Sequence, residues 1–466
     1  MTDSVLVIGA GVAGMRATLD LARHGISVVL VEREPVLGGV MASRLCDEEE
    51  TFNFAHGVEV PKVTQIAAQK NIEVLTMSDV VGLNGTAGSF TATIRQRSRF
   101  VTDACTMCRH CHTVCPQIAP NHFQAGITLR KAIYTPFRGA FPASYVIDIE
   151  TCLNNPPNYL PCQRCVEVCD DKAIHFDVPL ERKFTREIGA VVLATGFAVE
   201  GSNEPDKYGY GSHPDILTYM EFEQLIAPTG PSGGFVEKLS NSSSPVSVLY
   251  LMDDAGRFAT GCAAAQCDKM IDQDINNVVV LHPPKTKEGD SFKEFWRQVA
   301  RRDSVLVEGQ VERVTPVEDE QLRVRYKEVT QPLSTTENYD MVVFTTRATA
   351  SPRFDETAKV LGIEHNGSGF VKAGQSIGGV NATSQPGIYV AGCASGLKDV
   401  TETIAESKSA AIHSMRHVAV RGPVKADEAD DPAISGHTGV MLDGKWLTDD
   451  QIRQRIESVL LHLLEK

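Results

Sequence analysis

Residues 3–14, Asp3-Ser4-Val5-Leu6-Val7-Ile8-Gly9-Ala10-Gly11-Val12-Ala13-Gly14, decide the fold of this chain. A short apolar run ends in three glycines at G-x-G-x-x-G spacing. A helical pattern follows through Met15, Ala17, Leu19 and Leu21, and then a second apolar run, Ser27–Val31. This is a strand, turn, helix and strand unit. Gly9, Gly11 and Gly14 let the backbone approach a pyrophosphate. Glu32 closes the second strand 18 residues after Gly14, where an acid accepts a bond from an adenosine ribose hydroxyl. Glycines alone can merely turn a chain. With strand, helix and terminal acid all in register, the unit points to a bound dinucleotide.

Further along, Phe90–Arg97 alternates as a strand, and Ala190–Leu193 repeats the apolar style and ends in Ala194-Thr195-Gly196. Near the far end, Gly387-Ile388-Tyr389-Val390-Ala391-Gly392 precedes a helix-like stretch from about 401 to 417. This order resembles the α/β two-dinucleotide-binding-domain flavoproteins of the disulfide reductase kind. The likeness covers most of residues 1–420 and implies FAD. Runs at 246–251, 277–281, 304–307, 322–326 and 341–344 read as strands of a second α/β domain, with a helix around 292–300. Its first strand leads into Met252-Asp253-Asp254-Ala255-Gly256-Arg257 without a second glycine fingerprint, which disfavours a nicotinamide site.

The twelve cysteines cluster. Cys105, Cys108, Cys111 and Cys115, then Pro116, give C-x2-C-x2-C-x3-C-P, a run that wraps three thiolates round one iron–sulfur cube and sends the fourth to another. Cys152, Cys162, Cys165 and Cys169 repeat it with a stretched first gap. Two [4Fe-4S] clusters are expected, in crossed sets: Cys105, Cys108, Cys111 and Cys169 for one; Cys115, Cys152, Cys162 and Cys165 for the other. A structural zinc cage is the alternative, but the three-then-one grouping before a proline favours cubes over the separated pairs of zinc ribbons. His110 and His112, inside the first run, are not taken as ligands. Cys46, Cys262, Cys267 and Cys393 remain.

Composition narrows the function classes. A net charge of −14 argues against broad nucleic-acid binding, and no run approaches the roughly 18 apolar residues a membrane span needs. The N-terminus enters a strand without a basic signal region, so a cytoplasmic location is expected. Thiols stay reduced there, which suits metal ligation better than disulfides.

Expected boundaries are 1–97 for the first part of the FAD-binding domain, 98–184 for an inserted two-cluster ferredoxin-like domain, and 185–240 for the return strand and connection. The second α/β domain takes 241–345, the C-terminal part of the FAD domain 346–420, and a linker with a final helix 421–466. That helix carries a capping box, Thr448 and Gln451, and an apolar stripe from Ile452 to Leu464. The stripe suits its own core, a partner subunit or a second protomer.

Several stretches carry a closer resemblance: Arg130-Lys131-Ala132-Ile133-Tyr134-Thr135-Pro136-Phe137, Tyr145-Val146-Ile147-Asp148, residues 189–197, and Ala227-Pro228-Thr229-Gly230-Pro231. Together with the FAD fold and the two-cluster insert they resemble heterodisulfide reductase A subunits. The flavoprotein subunits of quinone-interacting membrane-bound oxidoreductase and of sulfur-oxidising heterodisulfide-reductase-like complexes share the plan. The resemblance implies an oxidoreductase subunit that relays electrons between partner subunits, with FAD converting two-electron into one-electron steps. It implies a flavin-binding set of Gly9, Gly11, Ala13, Gly14, Glu32, Arg33, Gly38, Gly39, Val80, Ala194, Thr195, Gly196, Gly392 and Asp399. A helix-start acid is the other reading of Asp399. Members with a further cluster beside the flavin supply four thiolates, where this chain has only Cys262 and Cys267, with Asp253 or Asp254 as a substitute ligand. After Cys46, where many members carry a CxxC, this chain reads Asn53-Phe54-Ala55-His56-Gly57. Simple relay is therefore expected over bifurcation. The rival functions are a free-standing NAD(P)H:acceptor enzyme like the small component of glutamate synthase, and a scaffold whose clusters are structural.

Overall fold

The computed structural model describes residues 2–42 and 62–419, apart from 138, 156–159, 200–204, 229, 253–256, 276, 284–304, 319, 347, 352 and 377–378. It also describes 440–442 and 445–447. Two compact units result, 1–421 and 422–466. The second is described only by the antiparallel pair Val440–Leu442 and Lys445–Leu447. The expected helix around 292–300, the linker, the helix from Thr448, Cys46, Asn53–Gly57, Asp253 and Asp254 lie outside the described residues.

The first unit opens with β1 (Ser4–Ile8), α1 (Val12–Arg23), β2 (Ser27–Val31), β3 (Ile72–Leu75) and then a hairpin, β4 (Ser78–Thr86) with β5 (Ser89–Arg97). β1 and β2 are rich in Val, Ile and Leu and nearly free of polar residues, because both faces of a central parallel sheet are covered. β1 lies between β2 and Ala190–Leu193, and Ile388–Val390 follows on the far side, all parallel. A seven-stranded sheet results, with Gly374–Ser376 and β3 at its edges. Gly14 shows how tightly α1 lies on it: a Cβ there would sit 1.8 Å from the Gly9 carbonyl oxygen.

A cysteine-rich segment leaves after β5, and the chain returns as Glu181–Ile188, which pairs antiparallel with β5 along its whole length. Val101 bridges Ile174 inside this segment, so its exit lies beside its entry. Phe100, Val101, Ile133, Tyr145, Ile147, Ala173 and Ile174 form its core together with Cys111 and Cys165.

The second α/β layer is another seven-stranded sheet. Ile216–Thr218, Met341–Phe344, Ser247–Leu251, Asn277–His282 and the start of Val305–Pro316 run parallel, and Leu322–Glu328 and Thr335–Tyr339 continue antiparallel. Cys262 and Cys267, on helix Arg257–Asp272, are buried in its apolar core beside Met270 and Val280. Among the described residues no helix is long and apolar enough to cross a membrane.

Candidate functional site: a dinucleotide cavity beside two thiol-lined hollows

A cavity of about 580 Å³ opens at the C-terminal ends of β1 and β2. Of the flavin set, Gly9, Gly11, Ala13, Glu32, Arg33, Gly38, Gly39, Val80, Ala194, Thr195, Gly196 and Asp399 line it. Gly14 and Gly392 stand behind its wall. A Cβ on Gly392 would meet Ala13 Cβ at 2.8 Å, so this glycine, like Gly14, serves close packing around α1.

The cavity fits a dinucleotide on four grounds. Gly11 caps α1 with no side-chain bond, so the first-turn amides of Val12 and Ala13, at the cavity wall, are left for an anion. Gly11 and Gly39 face each other backbone to backbone: a Cβ on Gly39 would lie 2.9 Å from Gly11 Cα. Glu32 is held by its neighbours, Oε2 accepting from Ala10 N at 2.6 Å and Oε1 from Glu34 N at 2.9 Å. Burial pushes its carboxyl up, against those two amides. At the opposite wall Thr195 Oγ1 is buried with no protein partner, an acceptor or donor left for a ligand.

Asp399 is the helix-start acid, and it stands at the cavity wall. Its Oδ1 accepts from Glu402 N at 2.7 Å while Glu402 Oε2 accepts from Asp399 N at 3.1 Å, a capping box that starts helix Val400–Ser414. Sequence reasoning missed Lys398 and the helix Phe354–Leu361. Lys398 Nζ donates to Ser395 Oγ at 2.8 Å and to Gly392 O at 3.2 Å, and stands 3.4 Å from Glu406. Glu356, Thr357 and Val360 complete the wall near β4. The charge of Lys398 next to Asp399 was a usable signal; the helix itself was marked by Asp355 and Glu356 in its first turn, Lys359 in its last and Gly362 after it, but nothing in it pointed to the cavity. Cys393 also reaches the cavity, its thiol pushed up by burial.

The eight clustered cysteines sort into two sets. Cys105, Cys108, Cys111 and Cys169 line one hollow; Cys115, Cys152, Cys162 and Cys165 line the other. Two left-handed residues, Met107 at φ 59° and Arg109 at φ 72°, curl the first run. The Val101–Ile174 bridge brings Cys169 back to it. The thiols surround space rather than a point: among the described residues no three or more His, Cys, Asp or Glu stand at single-ion spacing. Burial, then neighbouring thiols, pushes Cys111 and Cys165 up to about 12, so ligation must displace their protons. His110 is exposed, and His112 turns to Tyr145, ring centres 6.5 Å apart.

Hydrogen bonds join the insert to the cavity rim. Leu37 N donates to Phe141 O at 2.9 Å, and Arg99, two residues into the insert, donates to Pro35 O. Glu34, half exposed, faces His122 at 3.8 Å, a contact that holds its carboxyl below the usual glutamate range.

A family model for FAD dependent oxidoreductases matches residues 4–132. The iron-sulfur A subunit of CoB–CoM heterodisulfide reductase from Methanocaldococcus jannaschii is 32% identical over 426 residues, 88% of this chain and 63% of that one. One of the corresponding A subunits of Methanopyrus kandleri is 33% identical, with the same shares covered. The chain thus spans a little under two thirds of the length of these relatives. Among solved structures, LpdA from Mycobacterium tuberculosis superposes with a TM-score of 0.50 at 13% identity, covering 91% of this chain and 74% of that one. The shared fold is that of the FAD-dependent disulfide reductases.

Proposed function

From its kinship with the heterodisulfide reductase A subunits, we propose that this chain is an oxidoreductase subunit carrying one FAD and two [4Fe-4S] clusters. It relays electrons between partner subunits, in the cytoplasm and without a membrane span or nucleic acid of its own. A homodimer is compatible with the same plan. The observation that supports the reading most is the sorting of eight cysteines into two sets of four, around two hollows in the segment joined to the cavity rim.

When bound, FAD exchanges electrons in pairs or singly, and each cluster takes one. The chain's own residues hold and tune these groups. Gly9, Gly11, Ala13 and the start of α1 would take the pyrophosphate, with Gly14 keeping the helix close enough to do so. Glu32 and Arg33 would take the adenosine end. Gly38, Gly39 and Val80 would follow the chain of the cofactor, and Ala194, Thr195, Gly196 and Asp399 would lie toward the ring, with Gly392 supporting from behind. Cys105, Cys108, Cys111 and Cys169 would hold one cluster, and Cys115, Cys152, Cys162 and Cys165 the other. Cys262 and Cys267, 2% and 0% exposed in an apolar core, remain packing residues. Our reading is two clusters and simple relay, rather than a third cluster and bifurcation.

An anaerobic reductive titration tests this. One FAD and two clusters take up about four electrons per chain, bleaching both chromophores. Uptake of about two, with the flavin alone bleaching, would contradict the relay.

A further inference from the structure

Arg99 sits at the seam between the flavin fold and the cysteine-rich segment. Its guanidinium donates to Pro35 O, to Thr76 Oγ1 at 3.3 Å and to Ser144 O at 3.0 Å. Pro35 and Thr76 each stand within two residues of cavity-lining segments, and Ser144 belongs to the insert. The backbone carbonyl of Arg99 accepts from Ile147 N at 3.2 Å, and the next residue, Phe100, packs in the core that contains Cys105, Cys111 and Cys165.

Among the described residues every hydrogen-bond partner of this cation is a neutral oxygen, and its Nε has none. A hydrogen-bonded tie needs no charge, and a buried charge is costly unless something negative answers it. Burial pulls the guanidinium below its ordinary range, while Tyr134, Asp103 and Cys105 act the other way. Val101, two residues on, and Tyr145, next to the acceptor Ser144, both line the hollow of Cys105, Cys108, Cys111 and Cys169, so the cation stands beside that set.

We propose that Arg99 is a positioning residue that holds up the reduction potential of the cluster carried by Cys105, Cys108, Cys111 and Cys169. This rests on reading those thiols as cluster ligands. One-electron reduction adds one negative charge to a centre already negative from its thiolates. A nearby buried cation favours the reduced form, and net local charge is one of the protein's levers on such potentials. The arginine thereby keeps that cluster reducible from the flavin side.

The test is a potentiometric titration of the full-length, cluster-loaded protein, followed by EPR. In Arg99→Gln, one of the two cluster steps should show a reduced-to-oxidised ratio at least tenfold lower at fixed potential, about 59 mV for one electron, and the other step should move less. Arg99→Lys keeps the charge and should stay within about threefold of wild type. Thr76→Asp leaves the arginine in place but sets a carboxylate against it, and should reproduce the Arg99→Gln shift. An unchanged potential in Arg99→Gln at wild-type iron content overturns the proposal. So does an equal fall in Arg99→Lys. Should Arg99→Gln not take up iron, Thr76→Asp decides, and no shift there overturns it. Wild-type protein without iron would instead defeat the cluster reading itself.

Discussion

Gly9 and Gly11 sit two residues apart and do different work. Gly9 holds φ at +98°, and a Cβ there would lie 2.4 Å from Ala194 O, so any side chain forces the glycine turn off the neighbouring strand. Gly11 has ordinary φ, and nothing stands closer to its missing Cβ than Gly39 Cα at 3.9 Å. Gly9→Ala should therefore destabilise the fold by roughly 1–3 kcal/mol and lose flavin. Gly11→Ala should keep its denaturation midpoint close to wild type yet purify with much less FAD, because the methyl occupies the path of the pyrophosphate. Thermal melts and the flavin-to-protein absorbance ratio separate the two. If both variants kept wild-type flavin, the fingerprint would not be a cofactor cradle. Both glycines were legible in the sequence because the turn is local. Arg99 was not: its partners lie 64, 23 and 45 positions away, and nothing in the neighbouring residues announces them.

At the level of elements, the strands and helices that follow a local pattern were readable, and those defined by long-range packing were not. β1, α1, β2 and Ala190–Leu193 fall where apolar runs and glycines set them. The cysteine runs were readable because their spacing is local to the sequence. Helix Phe354–Leu361 walls the cavity only because it packs on β4, more than 260 residues earlier, a meeting no local pattern encodes. Helix Val400–Ser414 shows an element tuned from its first residue. Asp399 caps it, so Asp399→Ala should cost about 0.5–2 kcal/mol in a urea titration. A cost near zero would leave direct ligand contact as its role. Cys267 gives a second element-level test. Lying at 0% exposure among Tyr250, Met270 and Val280, Cys267→Ala should cost about 1 kcal/mol and leave the iron content unchanged. A loss of about four irons would mean a third cluster in that helix.

Across the whole molecule, one chain brings a dinucleotide cavity and two thiol-lined hollows into a single compact unit, with the cysteine-rich segment inserted between β5 and its pairing strand. The start of the insertion follows the strand pattern of Phe90–Arg97, whereas the expected end at 184 falls inside Glu181–Ile188, a pairing strand that its polar sequence did not announce. The crossing of the two cysteine sets could be expected from spacing, but the device that achieves it, the Val101–Ile174 bridge closing the insert on itself, is a tertiary fact. Phe141 and Arg99 join the insert to the cavity rim. The most direct measurement is iron, acid-labile sulfide, zinc and FAD per chain in anaerobically purified protein. Two cubes and one flavin predict about eight iron, about eight sulfide and about one FAD. Zinc in place of iron, with no acid-labile sulfide, would contradict electron relay through this chain.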